Sequence, residues 1–202
     1  MGIRCPECGR EYDVTLFAYG RTIHCTCGAR VGLEHRTGIP RREGRPSFMA
    51  DVMLGRLARW LRILGYDTAW EEGVDDEELV TRARHEGRMV LTRDRRLPKE
   101  WRVDNVVLIT PDDSLEQLRQ VVEVLDLEWR EGLFSRCSRC NTPLVRARDE
   151  AVEEGVPDPV QEEKEEFAWC PSCRRVYWSG GHVERMLRRL EETLGSGRGE
   201  GR

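Results

Sequence analysis

Residues 47–65 read SFMADVMLGRLARWLRILG, and two periodicities follow each other within this stretch. The short apolar run Phe48-Met49-Ala50 ends at Asp51 and is typical of a buried strand. Apolar residues then recur three and four positions apart as far as Gly65, which predicts an amphipathic helix with a glycine stop. A buried strand followed directly by a helix indicates the start of an α/β unit, with an acidic residue at the turn.

The same alternation of strands and helices continues to about residue 125. Strands are predicted over residues 66–70, 88–92 and 105–110, and helices over residues 75–87 and 113–125. This order predicts an α/β fold, an open parallel sheet with helices on both faces. Sites in such sheets lie beyond the carboxyl ends of the strands. Asp51 and Asp94 fall at that edge, and Asp76 begins the helix that leaves it.

Three aspartates at one sheet edge have the chemistry of a two-metal phosphodiesterase. That reaction uses carboxylates that hold divalent ions about 4 Å apart, and Mg²⁺ or Mn²⁺ suits such oxygen ligands. We therefore expect Asp51, Asp76 and Asp94 to be catalytic and to bind Mg²⁺ or Mn²⁺, with Asp75 as an additional candidate ligand. Simpler roles stay open: Asp51 or Asp76 could cap a helix, and Asp94 could be a turn residue.

The eight cysteines form four close pairs, two near each end of the chain. The Cys-Pro-x-Cys turn presents two thiolates to one tetrahedral zinc ion, and a second pair closes the site. The pattern predicts two structural Zn²⁺ ions, one held by Cys5, Cys8, Cys25 and Cys27 and one by Cys137, Cys140, Cys170 and Cys173. A disulfide scaffold would need an export signal, and a thioredoxin-like motif would be a single pair. Iron–sulfur ligation is the main competitor, and separated pairs on short strands favour zinc ribbons.

The cysteine pairs divide the chain into modules. We expect an N-terminal zinc ribbon at residues 1–35, a basic linker at 36–46 and the α/β domain at 47–130. A C-terminal zinc ribbon follows at 131–186, and a helix end with a disordered tail occupies 187–202. The acidic insert at residues 149–166, with nine acidic residues and one lysine, is expected to loop out of the C-terminal ribbon.

The net charge of −4 is unevenly distributed. Residues 1–49 hold eight arginines against five acidic residues, whereas residues 50–130 hold thirteen basic against eighteen acidic residues. A simple nucleic-acid coat protein would be basic throughout. Arginines near the acids are instead candidates for holding phosphates, and we expect Arg56, Arg59, Arg93 and Arg95 to contact the phosphates of a nucleic acid. Arg56 and Arg59 share their predicted helix face with Arg62, and a merely solvated face is the alternative.

Neither a long apolar run nor a targeting segment is evident in the sequence. No stretch approaches the eighteen or more apolar residues of a membrane span. Together with reduced-thiol chemistry, this predicts a cytoplasmic protein without membrane contact.

Several motifs together carry a resemblance to a known family. They are FMAD at 48–51 with MLGRLARWLR at 53–62, DEEL at 76–79, RMVLTRD at 88–94, the CxxCN motif at 137–141, and CPxC with VYW at 170–178. This combination resembles the PIN-like RNase domain first named from the C-terminus of the Mut-seven exonuclease, including its terminal zinc ribbon. The resemblance implies a PIN-type metal-dependent nuclease that acts on RNA. Family members usually have a further acid before the Asp76 position, for which Glu71, Glu72 and Asp75 are the candidates here.

The sequence therefore predicts a metal-dependent endoribonuclease that uses PIN-type two-metal chemistry. The alternative is a non-catalytic RNA- or ribosome-binding adaptor, and DNA remains open as a substrate because its phosphodiester chemistry is the same. The N-terminal ribbon is not part of the family pattern. It is a candidate contact for the ribosome or a protein partner.

Overall fold

The structure of the protein, a computed structural model, describes residues 2–13, 16, 22–32, 44–101, 103, 105–163 and 166–195. Most of the predicted basic linker and the tail after residue 195 lie outside the described residues. Among the helices of the described residues, none has the length and apolar character needed to cross a membrane.

The N-terminal module consists of two short antiparallel hairpins. β1 (Gly2–Arg4) pairs with β2 (Glu11–Asp13), and β3 (Ile23–His24) pairs with β4 (Arg30–Val31). One cysteine pair lies in the turn of each hairpin, so the turns bring four thiols together. The module is held by a small core of Ile3, Val31, Cys5 and Cys25.

The central domain is a four-stranded parallel sheet, as predicted. Its strands are β5 (Phe48–Ala50), β6 (Thr68–Ala69), β7 (Met89–Thr92) and β8 (Val106–Leu108), in the order β6-β5-β7-β8. A 3₁₀ turn (Val52–Leu54) leads from β5 into α1 (Gly55–Ile63), and the remaining helices are α2 (Asp76–Glu86), α3 (Leu97–Glu100) and α4 (Ser114–Leu125). The strand order places β5 and β7, the strands that precede Asp51 and Asp94, side by side at the centre.

Helices cover both faces of this sheet. Phe48 and Ala50 belong to a core shared with α1 and α4, whereas Met49 faces a second core with α2 and α3. The alternation follows from the two-residue period of a strand. Because both faces are buried, side chains of the sheet reach solvent mainly at the ends of the strands.

Helix α1 ends where the sequence predicts. Gly65 adopts a φ of 84°, which favours glycine, and a Cβ there would lie 2.2 Å from the carbonyl oxygen of Gly132. This close approach holds the segment that leads to the C-terminal ribbon against the end of α1.

The C-terminal module is a three-stranded antiparallel sheet, ordered β11-β10-β9, followed by a helix. The elements are β9 (Val145–Arg146), β10 (Phe167–Cys170), β11 (Arg175–Trp178) and α7 (Gly181–Leu194). Leu190 and Leu194 of α7 belong to the larger core of the central domain. The helix therefore joins the ribbon to that domain.

The acidic insert does not loop out as expected. It forms two short helices, α5 (Asp149–Gly155) and α6 (Asp158–Glu163), and α5 contacts β11. Val156, between the two helices, is only 5% exposed. The segment is therefore held to the protein through a buried valine, which its highly charged composition does not predict.

Candidate active site and metal centres

Asp51 and Thr92 end two neighbouring strands and meet at the carboxyl edge of the sheet. The backbone N–H of Asp51 donates to the Leu91 carbonyl at 2.9 Å, which continues the β5–β7 pairing. The Thr92 hydroxyl donates to Asp51 Oδ2 at 2.6 Å. Asp51 is 6% exposed and Thr92 is fully buried. Asp51 precedes the 3₁₀ turn but its side chain makes no capping hydrogen bond, so the simple capping role does not apply.

Thr92 also fixes Asp94. Its Oγ1 accepts a hydrogen bond from the Asp94 backbone N–H at 3.0 Å, so one hydroxyl links the two aspartates. Asp94 Oδ1 accepts from the Arg96 N–H at 2.8 Å, which is the turn role considered from the sequence. Only one of its carboxylate oxygens has this contact. Sequence reasoning missed Thr92, although a threonine at the last position of a strand, two residues before an acid, was the available signal.

Asp75, not Asp76, caps helix α2. Asp75 Oδ1 accepts from the Glu78 N–H at 2.9 Å, and Asp76 is the first residue of the helix. Burial raises the pKa of Asp76, and the negative charges of Asp51 and Asp94 raise it further. These three carboxylates therefore share one electrostatic environment, in which like charges disfavour ionisation of Asp76.

The three aspartates are grouped more loosely than the cysteines. Among the described residues, the sets whose ligand atoms all lie within 4.8 Å of one another are the two cysteine clusters, so the aspartates are farther apart than that. The donor set nevertheless fits a divalent cation, since every donor is a carboxylate oxygen and the repulsion at Asp76 signals uncompensated negative charge.

Two further acids act on Asp76. Glu71, one candidate from the sequence, pairs with Arg82 at 2.9 Å. Glu100, at the end of α3, and the predicted candidate Asp75 are both among the charges that raise the pKa of Asp76. The sequence offered no periodic signal for α3, which is only four residues long.

A polar groove of about 440 Å³ at the start of α1 is lined by three of the four predicted RNA-binding arginines, and its lining does not include Asp51, Asp76 or Asp94. Arg56, Arg59 and Arg93 line it, together with Met53, Trp70 and the first turn of α4. Arg93 is paired with Asp112 on the same groove wall. Arg95 is exposed but does not line this groove.

Trp70 lines the groove and packs closely against Gly55. Its indole N–H donates to the Val52 carbonyl at 3.0 Å, one residue after Asp51. A Cβ at Gly55 would lie 2.8 Å from the indole ring. Any larger residue at position 55 would therefore displace the ring that separates the groove from the core.

Arg62 does not share the exposure of Arg56 and Arg59. It is 3% exposed, and its guanidinium donates to the Thr68 carbonyl at 2.8 Å and to the Arg139 carbonyl at 2.8 Å. The expectation of one common arginine face is therefore wrong for Arg62. Helix position alone could not show that a neighbouring module covers that side of α1.

Asn141 makes a second connection between the sheet and the C-terminal cysteine turn. Its amide donates to Asp67 Oδ1 at 2.8 Å and accepts from the Thr68 N–H at 3.0 Å. Arg88 donates to the same Asp67 oxygen at 2.6 Å. These contacts attach the cysteine turn to β6, at the edge of the sheet.

Both cysteine clusters have the geometry to hold zinc. All eight cysteines are free. The Sγ atoms of Cys5 and Cys27 are 3.6 Å apart, and those of Cys140 and Cys170 are 3.3 Å apart. Tetrahedral zinc with Zn–S bonds of about 2.3 Å requires sulfur separations of about 3.8 Å, whereas a disulfide requires about 2.0 Å. The sulfur separations are therefore closer to those of a zinc site than to those of a disulfide.

In the metal-free protein, the surroundings lower the pKa of Cys25 and Cys140 and raise the pKa of Cys27, Cys170 and Cys173. The backbone N–H of Cys27, and next the hydroxyl of Tyr12, lower the pKa of Cys25 to about 5. In the C-terminal cluster, the Tyr177 hydroxyl lies 3.0 Å from Cys137 Sγ. Each cluster thus has a tyrosine hydroxyl beside one sulfur, an outer contact of the kind that orients metal ligands. Neither tyrosine role was predicted.

Comparison with known families and proteins identifies one match. The family model of the Mut7-C RNAse domain matches residues 46–190. The matched region contains the three aspartates and the C-terminal cysteine cluster, and it excludes the N-terminal cluster. No curated protein sequence and no solved structure matches the chain.

Proposed function

Because this chain belongs to the Mut7-C RNAse domain family, we propose that it is a metal-dependent endoribonuclease that cleaves RNA by PIN-type chemistry. Asp51, Asp76 and Asp94 would hold Mg²⁺ or Mn²⁺ at the carboxyl edge of the sheet. The bound ions would supply Lewis-acid activation of water and of the scissile phosphate.

The observation that carries this proposal is the convergence of the three carboxylates on one electrostatic environment. Thr92 joins Asp51 to Asp94 through one hydroxyl, and both charges act on Asp76. An ordinary helix cap explains none of the three, since Asp75 is the cap of α2 and Asp51 makes no capping bond. Clustered, partly buried carboxylates destabilise a fold unless a cation or a substrate uses them.

The arginine groove supports a polyanionic substrate. Arg56 and Arg59 are exposed on α1 immediately after the turn that follows Asp51. Their guanidinium groups would hold backbone phosphates in bidentate fashion and place a phosphodiester over the carboxylates. Arg93 would add a third contact if the substrate displaces Asp112 from it.

The zinc ions would be structural. Four thiolates complete a tetrahedron and leave no open position for a substrate. The C-terminal zinc would stabilise a cysteine turn whose carbonyls accept hydrogen bonds from Arg62, behind the catalytic edge. The N-terminal zinc ribbon would be a separate RNA-, ribosome- or protein-contacting module.

Cleavage of an RNA panel tests the proposal. Purified protein is incubated with structured and single-stranded RNAs, with and without Mn²⁺ or Mg²⁺, beside Asp51→Asn protein prepared in parallel. We expect internal cleavage that requires the divalent ion and is absent in the variant. Binding of RNA without any cleavage under these conditions would favour the adaptor alternative, and equal cleavage by Asp51→Asn protein would reveal a contaminating nuclease.

A further inference from the structure

A second groove, of about 760 Å³, lies where the C-terminal ribbon meets α7. Aromatic and apolar side chains make up most of its wall, with Phe134, Phe167, Tyr177 and Trp178 as the aromatic members. Arg136, Arg146 and His182 add basic groups, and Glu166 is the acidic member of the described lining. We call this the ribbon groove, and the arginine-lined groove at the start of α1, where the substrate phosphates are proposed to bind, the catalytic groove.

Helix α1 connects the two grooves along a single face. Arg56, Arg59, Trp60 and Ile63 follow the i, i+3, i+4, i+7 spacing that places side chains on one side of a helix. Arg56 and Arg59 line the catalytic groove, and Ile63 lines the ribbon groove. Arg59 and Ile63 are four positions apart, which corresponds to a rise of about 6 Å along the helix.

Helix α7 has residues that line the ribbon groove and residues that lie near the catalytic groove. Its first residues, including His182 and Met186, line the ribbon groove. One turn further on, the Arg189 guanidinium lies 5.9 Å from the centre of the Trp60 ring. The charge of Arg189 also acts on Asp113, which lines the catalytic groove. The Arg189–Trp60 contact therefore lies close in sequence to residues that line each groove, on α1 and on α7.

We propose that the ribbon groove is a second nucleotide-binding subsite, which holds unpaired bases of the RNA strand whose phosphates enter the catalytic groove along α1. The inference rests on the proposed nuclease function for the identity of the strand. Aromatic faces accept any base by stacking, and arginines beside them hold the backbone. A paired base would not present its face to the groove, so the subsite selects single-stranded RNA.

Arg146 and Trp178 are the residues to change. Arg146 is exposed on β9, so Arg146→Glu reverses a groove charge without disturbing the core. Trp178→Leu removes a stacking surface while it keeps an apolar side chain in β11. Arg148→Glu is the matched control, because Arg148 is exposed two residues from Arg146 and does not line the groove.

Binding is measured by fluorescence anisotropy in the Asp51→Asn background, so that cleavage does not consume the probe. The probe is a labelled single-stranded oligouridylate of about 16 nucleotides, an upper value for such sites, and a duplex RNA of equal length is compared. We expect both groove variants to weaken single-strand binding about tenfold, the cost of losing one stacked base or strand contact, with no change for Arg148→Glu. A 4-thiouridine version of the probe should crosslink to the peptide that contains Trp178.

The outcomes separate this inference from the proposed function. Unchanged binding in both groove variants, or equal affinity for duplex and single strand, overturns the subsite even if the protein cleaves RNA. Groove-dependent binding by a protein that never cleaves RNA supports the subsite and sinks the nuclease proposal alone. Oligodeoxythymidylate is tested beside the RNA probe to separate RNA binding from DNA binding. Weaker binding of this DNA to the same two variants would also support a subsite for unpaired bases.

Discussion

Thr92 is a buried hydroxyl with two partners, and both belong to the candidate active site. It donates to the Asp51 carboxylate and accepts from the Asp94 backbone. Such outer contacts hold a metal-binding carboxylate in a single orientation. In the proposed reaction Thr92 would be a positioning residue, because it would act on the phosphodiester only through the aspartates.

Replacing Thr92 tests that role. We expect Thr92→Val to lower metal-dependent cleavage by roughly 10- to 100-fold, the usual cost of removing an outer partner of a metal ligand. The loss should be accompanied by weaker Mn²⁺ binding in calorimetry. Thr92→Ser, which retains the hydroxyl, should restore most of both quantities. An equal loss in the serine variant would point to packing of the threonine methyl instead.

Asp76 and its neighbour Asp75 form a matched pair for the next test. Asp76→Asn should lower cleavage by at least about 100-fold, because it removes a proposed metal ligand. It should also stabilise the metal-free protein at neutral pH. The pKa of Asp76 is raised above its ordinary value of 3.8, so ionisation costs folding free energy above that pH. The gain should therefore disappear as the pH falls below 3.8.

Denaturant unfolding and cleavage assays on the same samples give both readouts. Asp75→Asn is the control, since asparagine caps a helix as well as aspartate does. That variant should keep its stability, and a loss of cleavage in it would assign Asp75 as the additional metal ligand. Full cleavage by Asp76→Asn protein would remove Asp76 from the proposed site.

Sequence reasoning at the residue scale located the acids but not their partners. The end of a strand and the start of a helix are visible in the periodicity, which led to Asp51, Asp76 and Asp94. Thr92, Tyr12 and Tyr177 act through contacts between distant segments, and Thr92 alone had a local signal, its place at the end of a strand two residues before an acid. The choice between Asp75 and Asp76 as the cap depended on backbone geometry and required the structure.

At the scale of elements, helix α1 serves two surfaces. Arg56 and Arg59 face solvent at the catalytic groove, whereas Arg62 is buried against the C-terminal cysteine turn. Burial lowers the pKa of Arg62, and the charges of Cys137 and Cys140 oppose that shift. The buried guanidinium thus donates hydrogen bonds to carbonyl groups of the ribbon and also offsets the negative charge of its thiolates.

We expect Arg62→Leu to destabilise the protein by about 3 kcal/mol, because three carbonyl oxygens lose their donor at about 1 kcal/mol or more each. Zinc should also leave the C-terminal cluster faster, as followed with a colorimetric chelator. Arg59→Leu, on the exposed side of the same helix, should leave stability and zinc release unchanged. Similar release rates for both variants would mean that the ribbon holds its zinc independently of α1.

Secondary structure was predictable wherever periodicity was long enough. The sequence pattern closely matches strands β5 and β7, whose residues form short apolar runs. It also matches helices α2 and α4, in which the apolar spacing and the N-terminal caps agree. Helix α3 is too short to show a period, and the two helices of the acidic insert are attached through Val156 rather than through a full apolar face. Tertiary contacts decided those segments.

At the scale of the whole molecule, charge is divided between modules. The first 49 residues carry a net charge of +3 from eight arginines and five acidic residues, while the sheet domain is acidic. The surplus lies in the predicted linker at residues 36–46, which holds four arginines and one glutamate, because residues 1–35 hold four arginines and four acidic residues. A basic linker next to an acidic domain can supply affinity for a polyanion that the domain itself would repel. The sequence alone predicted this division, because charge counts need no structure.

Removal of residues 1–46 should therefore weaken RNA binding and flatten its salt dependence. Each lost phosphate contact on a single strand lowers the slope of log affinity against log salt concentration by about 0.7. Anisotropy titrations of full-length and truncated protein at several salt concentrations measure the slope. If affinity and slope stay the same, the N-terminal module serves a partner other than RNA.

The central claim is that Asp51, Asp76 and Asp94 share divalent cations, and anomalous X-ray scattering from Mn²⁺-soaked crystals tests it most directly. The account predicts an anomalous peak in direct contact with the carboxylates of Asp51 and Asp94, with Asp76 among the ligands, at a Mn²⁺ concentration that supports cleavage. No peak at that edge of the sheet under those conditions, with cleavage still observed in solution, would contradict it.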